Sequence, residues 1–411
     1  MRRQHAASVT RARKSQLVEL VCLSSPGEPP KKHTVCWFKS SRAPDSVGNT
    51  TDGSKGKGQA PMLTRRKQQV AAGVIAAFAL VAAFLGAKAL NGEPDAAVGG
   101  TVAPYLPYTS GSYFKSHPTD YGQINAALTS AMQTYLTNVQ GTSEQPAGQN
   151  WPVIAGVGGN KWGTVYAEGT ETDPIWKLKC SCTLSSKTAF LATTGFHAPS
   201  YFGKMITGTS DSPFAVLDMA GGFTVKGTKA QYSGAGNVIN VGQTGVFYHS
   251  SNGLDAKRPE SNDTRNTNSR GVIPDTQVIR KDTLEAAVAN GTGMGYVLEV
   301  FWPETDSAAG HYLPMVGHEG SKSGWGGEGQ RIGVDPSLDL STRTCSPYAL
   351  AIAKTLQDNG AYIGDNAGSA GMTLKAQQDT TVAPVWGTSL TKNTLKGCIK
   401  FSDFVAYTTP R

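Results

Sequence analysis

The sequence predicts a mainly β protein: a β-sandwich or jelly-roll-like domain with a few peripheral helices, preceded by one N-terminal transmembrane helix. Three observations carry that expectation. Beyond Trp151 the chain runs through short β-type segments punctuated by glycine: WPVIAGV, GTVYAEG, PIWKLKCSCTL, FAVLDM, GFTVKG, NVINVG, TGVFYH, GYVLEVFW and QRIGV. Many short strands with regular turn signals favour a sandwich or barrel over a parallel α/β sheet. Two stretches carry a helical period, and one long apolar run stands near the N-terminus.

That run, Val70 to Gly86, holds 17 residues without charge or proline and follows Arg65, Arg66 and Lys67. A bilayer-crossing helix needs about 20 apolar residues, with a usable range of about 17 to 25. The basic cluster before the run keeps the N-terminus cytoplasmic and sends everything after about Asn91 outside. Residues 62–90 therefore read as a signal-anchor, with the membrane as a partner through residues 70–87. Ala87-Lys88-Ala89 also fits a signal-cleavage site, which would release the protein near Ala89. Residues 1–61 read as a disordered basic tail, with Leu17 to Leu23 the only stretch apolar enough for a short element. The alternative is a start-site error, with translation from Met62.

Charge supports the same division. Net charge is +8, but residues 1–68 hold 14 Lys and Arg against Glu19, Glu28, Asp45 and Asp52. The remainder keeps 24 basic and 26 acidic residues, a net of −2. The exported region is near neutral, so nucleic acid loses its support as a partner.

Residues 91–118 read as a linker, rich in Gly, Ala and Pro from Gly92 to Pro107. The exported β-rich domain then spans residues 119–411 and starts with an amphipathic helix, 120–140, whose stripe is Ile124, Leu128, Met132, Tyr135 and Val139. A second helix starts at a Ser346 cap with Pro347 in its first turn and stops at Asn359-Gly360. Leu254 to Gly271 reads as a long, charged surface loop. Four cysteines follow the membrane segment: Cys180, Cys182, Cys345 and Cys398. An even number in an oxidising compartment favours disulfides. Cys180 and Cys182, two apart on a strand, are badly placed to pair with each other, so each is expected to bond to Cys345 or Cys398. None of His117, His197, His249, His311 and His318 makes a zinc spacing with them. The expectation is no metal and no cofactor.

From Asp173 onward, DPIWKLKC, GTSDSPFAVLD, GVIPDTQVIR, GYVLEVFWPETD, IGVDPSLDL, YALAIAKTLQDNGAYIGDNAG and LKGCIKFSDFVAY occur in a distinctive order. Over about 230 residues this resembles an uncharacterised family of exported bacterial hypothetical proteins, common in actinobacteria and their relatives. The resemblance implies a mainly β extracellular domain and supplies no reaction. The family's Ser-Asp-Gly motif is followed by a histidine. Here the stretch reads Ser210-Asp211-Ser212-Pro213 and lacks it.

The acidic candidates are Asp211, Asp218, Glu299, Asp306, Asp335 and Asp365, each at an apparent strand end or in the next loop. Two carboxylates facing a groove are the minimum for glycoside hydrolysis, and Asp211 with Asp306, both in matching motifs, are the expected catalytic pair. Trp302 and Trp325 offer flat faces for sugar rings. His311 and His318 share a Gly- and Ser-rich loop with Trp325, and these four are the expected ligand-binding residues. Nucleophile-elbow, Walker and HExxH motifs are missing. The favoured function is a membrane-anchored or secreted protein that binds glycan or cell-envelope material. The alternative is a carbohydrate-active hydrolase or lyase with a paired-carboxylate site.

Overall fold

The computed structural model describes residues 103–120, 122–254 and 270–408, with the backbone of three short strands nearer the N-terminus. The chain divides into two compact units, Met1–Ala97 and Val98–Arg411. In the first, β1 (Val9–Thr10), β2 (Glu19–Cys22) and β3 (Cys36–Lys39) form an antiparallel sheet, and β2 falls inside the apolar stretch Leu17 to Leu23. The apolar run Val70 to Gly86 lies outside the described residues, as does most of the charged loop after Leu254. Among the described residues no helix is long and apolar enough to cross a membrane.

The second unit is mainly β, with few helices. One four-stranded sheet has the order β10 (Gln231–Tyr232), β11 (Val238–Val241), β6 (Ile175–Cys180), β7 (Phe196–His197). Its neighbour has the order β12 (Gln243–Tyr248), β9 (Phe223–Thr228), β8 (Phe214–Asp218), β5 (Val165–Gly169). Their facing side chains, including Trp176, Leu178, Phe214, Val216, Val225 and Ile239, make one core. Strand β6 shows the cause: Trp176 and Leu178 are buried while Ile175, Lys177 and Lys179 face solvent. Strand β8 is buried at every position, so the second sheet is covered on both faces.

A six-stranded sheet follows the order β17 (Phe404–Ala406), β14 (Arg331–Val334), β15 (Ala361–Asn366), β13 (Leu298–Trp302), β16 (Thr373–Lys375), β4 (Val153–Ala155). Helices α1 (Ala126–Asn138), α4 (Lys281–Asn290) and α5 (Pro347–Asp358) share a core with it through Met132, Leu284, Ile352 and Leu356. Short α2 (Phe202–Met205) and α3 (Pro274–Gln277) complete the helices used below. The sheet is mixed: β13 pairs parallel with β15, and β16 with β4, whereas the sequence texture favoured a sandwich or barrel over a parallel α/β sheet. Parallel neighbours need a long crossover. Helix α5 lies on the one between β13 and β15.

Every β-type segment named from the sequence contains a strand, and α5 starts and stops where expected. Ser346 accepts from the Ala349 amide at 3.2 Å, and Gly360 takes the left-handed φ of +66° that ends the helix. The first helix starts later than residue 120. Asn125 caps it, accepting from the Leu128 amide at 3.0 Å, and Pro118–Asp120 forms a separate 3-10 turn.

Two expectations need correction. The described part of the 91–118 linker is packed into the domain: Phe114 is fully buried, Tyr108 nearly so, and the Tyr108 amide donates to the His249 carbonyl at 2.9 Å. Tyr108 and Phe114 outweigh the Gly-, Ala- and Pro-rich composition, because each buries enough area to tie the segment down. The disulfides also pair differently: Cys180 with Cys182, and Cys345 with Cys398. Strand β6 ends at Cys180, so the chain bends through Ser181 and returns Cys182 to its neighbour. The alternation that would hold the two side chains parallel stops one residue too early. A two-residue separation closes almost no chain entropy, whereas the Cys345–Cys398 separation of 53 closes much more. Replacing Cys180 and Cys182 together by serine is therefore expected to cost less than about 2 kcal/mol. Urea denaturation of the double variant checks this, and a larger loss would mean that the bend itself depends on the bond.

Candidate functional site

A cleft of about 750 Å³ opens where the covered four-stranded sheet meets the six-stranded sheet. Alternation along the strands decides which side chains reach it. On β13, Leu298, Val300 and Trp302 enter the helix-covered core, so Glu299 and Phe301 face the cleft. On β16, Leu374 enters the same core while Thr373 and Lys375 face out. A register shift between Val300 and Phe301 sets Phe301 opposite Asp365 and accommodates Gly364 in β15. That glycine is required, because a Cβ there would lie 2.1 Å from Glu299 Oε1. The opposing wall brings Lys226 and Thr228 of β9, Lys229, Asp211 and Gln243. Asn160 and Trp162 line the cleft, with Trp162 48% exposed.

The charges fall into two groups. Arg270 is fully engaged: its Nη2 lies 2.6 Å from Asp365 Oδ2, and its Nη1 lies 2.8 Å from Glu328 Oε1 and 3.5 Å from Glu319. Burial raises Glu328 to about 7 even beside Arg270, and burial also raises Asp365. Glu299 is different. Burial lifts it to about 7 against the pull of the Lys375 ammonium, and its Oε1 has no hydrogen-bond partner. Burial pulls Lys226 down to about 7 against the opposing charge of Glu299. Its ammonium donates to the Val272 carbonyl and sits 5.6 Å from the Phe247 ring centre. Burial lowers Lys375 too, and its ammonium lies 3.8 Å from the Phe301 ring centre. Among the described residues, no carboxylate stands within 4.0 Å of either lysine ammonium.

A second buried network stands nearby. Asp275 on α3 accepts from Tyr108 Oη at 2.9 Å and from Thr224 Oγ1, and Thr224 meets His249 Nε2 at 3.2 Å. Burial keeps His249 neutral, with its pKa down at about 4, and raises Asp275. These bonds join the 103–118 segment, β9 and α3 in the interior, and we read them as structural.

The expected site residues separate on this geometry. Asp211, Glu299 and Asp365 do line the cleft, Asp211 at its exposed edge. Asp306 does not: it closes a turn, accepting from the Ala308 amide at 2.9 Å. Asp218 and Asp335 also close turns, at the Gly221 and Ser337 amides. Asp211 and Asp306 therefore form no pair across this groove. Trp302 cannot offer a face to a sugar, because it is fully buried, stacked on Tyr135 and 5.5 Å from Trp325. Trp325 is half-buried on that core and does not line the cleft. His311 and His318 do come together, exposed, with Nδ1 atoms 3.3 Å apart and rings stacked, but outside the cleft. Among the described residues no group of three metal-ligating side chains gathers.

Lys226, Lys375, Arg270 and Trp162 were missed in the sequence. Lys226 and Lys375 had a signal: each interrupts an apolar strand segment, in GFTVKG and TLKA. Trp162 sits in the glycine-rich GGNKWG with nothing to mark it. No family model matches the chain, and no curated protein or solved structure does either.

Proposed function

We propose that the chain is an extracytoplasmic protein whose cleft binds a glycan or other cell-envelope saccharide. In this reading residues 70–87 hold it to the membrane, or cleavage near Ala89 releases it. The face-to-face four-stranded sheets are its sandwich, and it belongs with the exported family that its motifs resemble. One observation carries the functional reading: an exposed tryptophan, Trp162, beside a cleft lined with Asn160, Gln243, Asn366 and Ser369. A flat apolar ring next to amides and hydroxyls matches the two chemistries of a sugar, its CH face and its hydroxyl groups.

Trp162→Ala is expected to weaken saccharide binding by at least about tenfold, or about 1.4 kcal/mol, as central aromatic anchors do. Its stability should stay within about 0.5 kcal/mol, because the side chain is half-exposed. A glycan array on the full chain and on this variant reads the first, and a thermal melt reads the second. Equal array signals for the two proteins would remove the ring from the site.

A second reading, catalysis, is favoured by Glu299 and Lys226. Both face the cleft, and burial brings both near neutrality, where a group donates and accepts protons at working pH. A reducing-sugar or unsaturated-product assay on array hits separates the readings. Product release that Glu299→Gln abolishes establishes the enzyme, and binding without product leaves the binding module.

A further inference from the structure

The cleft does not share the charge of the region that surrounds it. Lys226, Lys229, Arg270, Lys375 and Lys392 line it, against Asp211, Glu299 and Asp365. The exported region as a whole carries the slight acidic excess noted above. Arg270 is satisfied by Asp365 and Glu328, and among the described residues no carboxylate stands within 4.0 Å of the Lys226 or Lys375 ammonium. Lys226 and Lys375 come from strands of different sheets, β9 and β16, and line one void. Burying two lysine side chains with no carboxylate paired directly to either ammonium is costly, and the fold tolerates that cost here. A ligand carrying negative charge recovers it, and a concave site with a basic excess also draws such a ligand in.

We propose that the occupant of this cleft is an acidic saccharide, a sugar chain bearing carboxylate or sulfate groups, held by the ammoniums of Lys226 and Lys375. This rests on the reading of the cleft as a saccharide site and narrows it to one chemical class. The neighbours set a pH dependence. Lys226 is faced by Glu299 on β13, Asp275 on α3, Arg270 and Lys375. Glu299 is faced by Lys375, Asp365, Lys226 and Arg270. As pH falls through about 7, Lys226 gains a charge and Glu299 loses one, so the cleft becomes more positive on both counts. A sugar carboxylate or sulfate stays ionised over that interval. Affinity for the acidic chain should therefore rise as pH falls from 8 to 6, through the two protons the cleft takes up.

Calorimetric titration of the full chain with oligogalacturonate, dextran sulfate and neutral dextran tests the proposal. The expected result is binding to one or both acidic chains at least tenfold tighter than to dextran, and tighter at pH 6 than at pH 8. Preference for oligogalacturonate assigns the carboxylated source, and preference for dextran sulfate assigns the sulfated one. Lys226→Met and Lys375→Met should each weaken that binding by at least tenfold. The pH profile of the unaltered protein stands as a second readout should either variant fail to fold. Equal binding of dextran and the acidic chains, with no pH dependence, overturns the acidic class and leaves the saccharide reading standing. No binding to any of the three, with a flat array, overturns both.

Discussion

Trp302→Ala is expected to destabilise the Val98–Arg411 unit by about 4 kcal/mol, the cost of removing a large buried aromatic and leaving a cavity. The side chain is fully buried among Leu298, Val300 and the helix-borne core, and its ring rests on Tyr135 with centroids 6.1 Å apart. Position in the strand explains why the loss is structural. Trp302 shares its face of β13 with Leu298 and Val300, while Glu299 and Phe301 take the other face and the cleft. Urea unfolding followed by tryptophan fluorescence measures the loss. A stability change below about 1 kcal/mol, with saccharide binding abolished, would return Trp302 to the ligand and remove it from the core.

Glu299→Gln should stabilise the protein by about 3 kcal/mol above pH 7 and by almost nothing near pH 4.5. Folding raises this carboxyl from 4.5 to about 7, so the folded state holds the proton more tightly than the unfolded chain does. Ionising it in the interior therefore costs stability that is absent at pH 4.5, grows between 4.5 and 7, and is fully present above 7. Glutamine keeps the shape without the charge. Lys226 trims the gain, because it loses a nearby opposite charge when the carboxylate goes. Lys226 itself has the opposite sign. Its lowered value makes the folded state release a proton that the unfolded chain keeps, so its own cost is full below about pH 7 and fades as pH rises toward 10.5. Unfolding free energies of both proteins at pH 5 and pH 8 decide the matter. An equal effect at the two values would mean that Glu299 is solvated and carries no burial cost.

Much of this fold was legible because strand alternation and helix caps are local. GYVLEVFW contains the whole division of β13 into a core face and a cleft face, and reading it with period two already places Trp302 beside Val300. Ser346, Pro347 and Gly360 set the limits of α5 by hydrogen-bond and φ requirements confined to a few residues. Pairing was not legible. That β9 and β13 look into one cleft, that β16 lies parallel to β4, and that Cys345 meets Cys398 are long-range facts. No period in the sequence records them. The acidic candidates show the same limit from the other side. Five of the six stand at strand ends or in loops and Glu299 lies inside β13, and only their three-dimensional neighbours separate Glu299, Asp365 and Asp211 from the three that close turns. The basic half of the site was overlooked because lysine in a strand reads as surface until its partner sheet is known.

Hydrogen exchange on the full chain, with and without oligogalacturonate, tests most directly that this cleft is the binding site. The expected result is slowed exchange in peptides covering Asn160–Trp162, Lys226–Lys229 and Thr373–Lys375, lost in Trp162→Ala. Protection confined to the loop carrying His311, His318 and Trp325, or none anywhere in the chain, would contradict it.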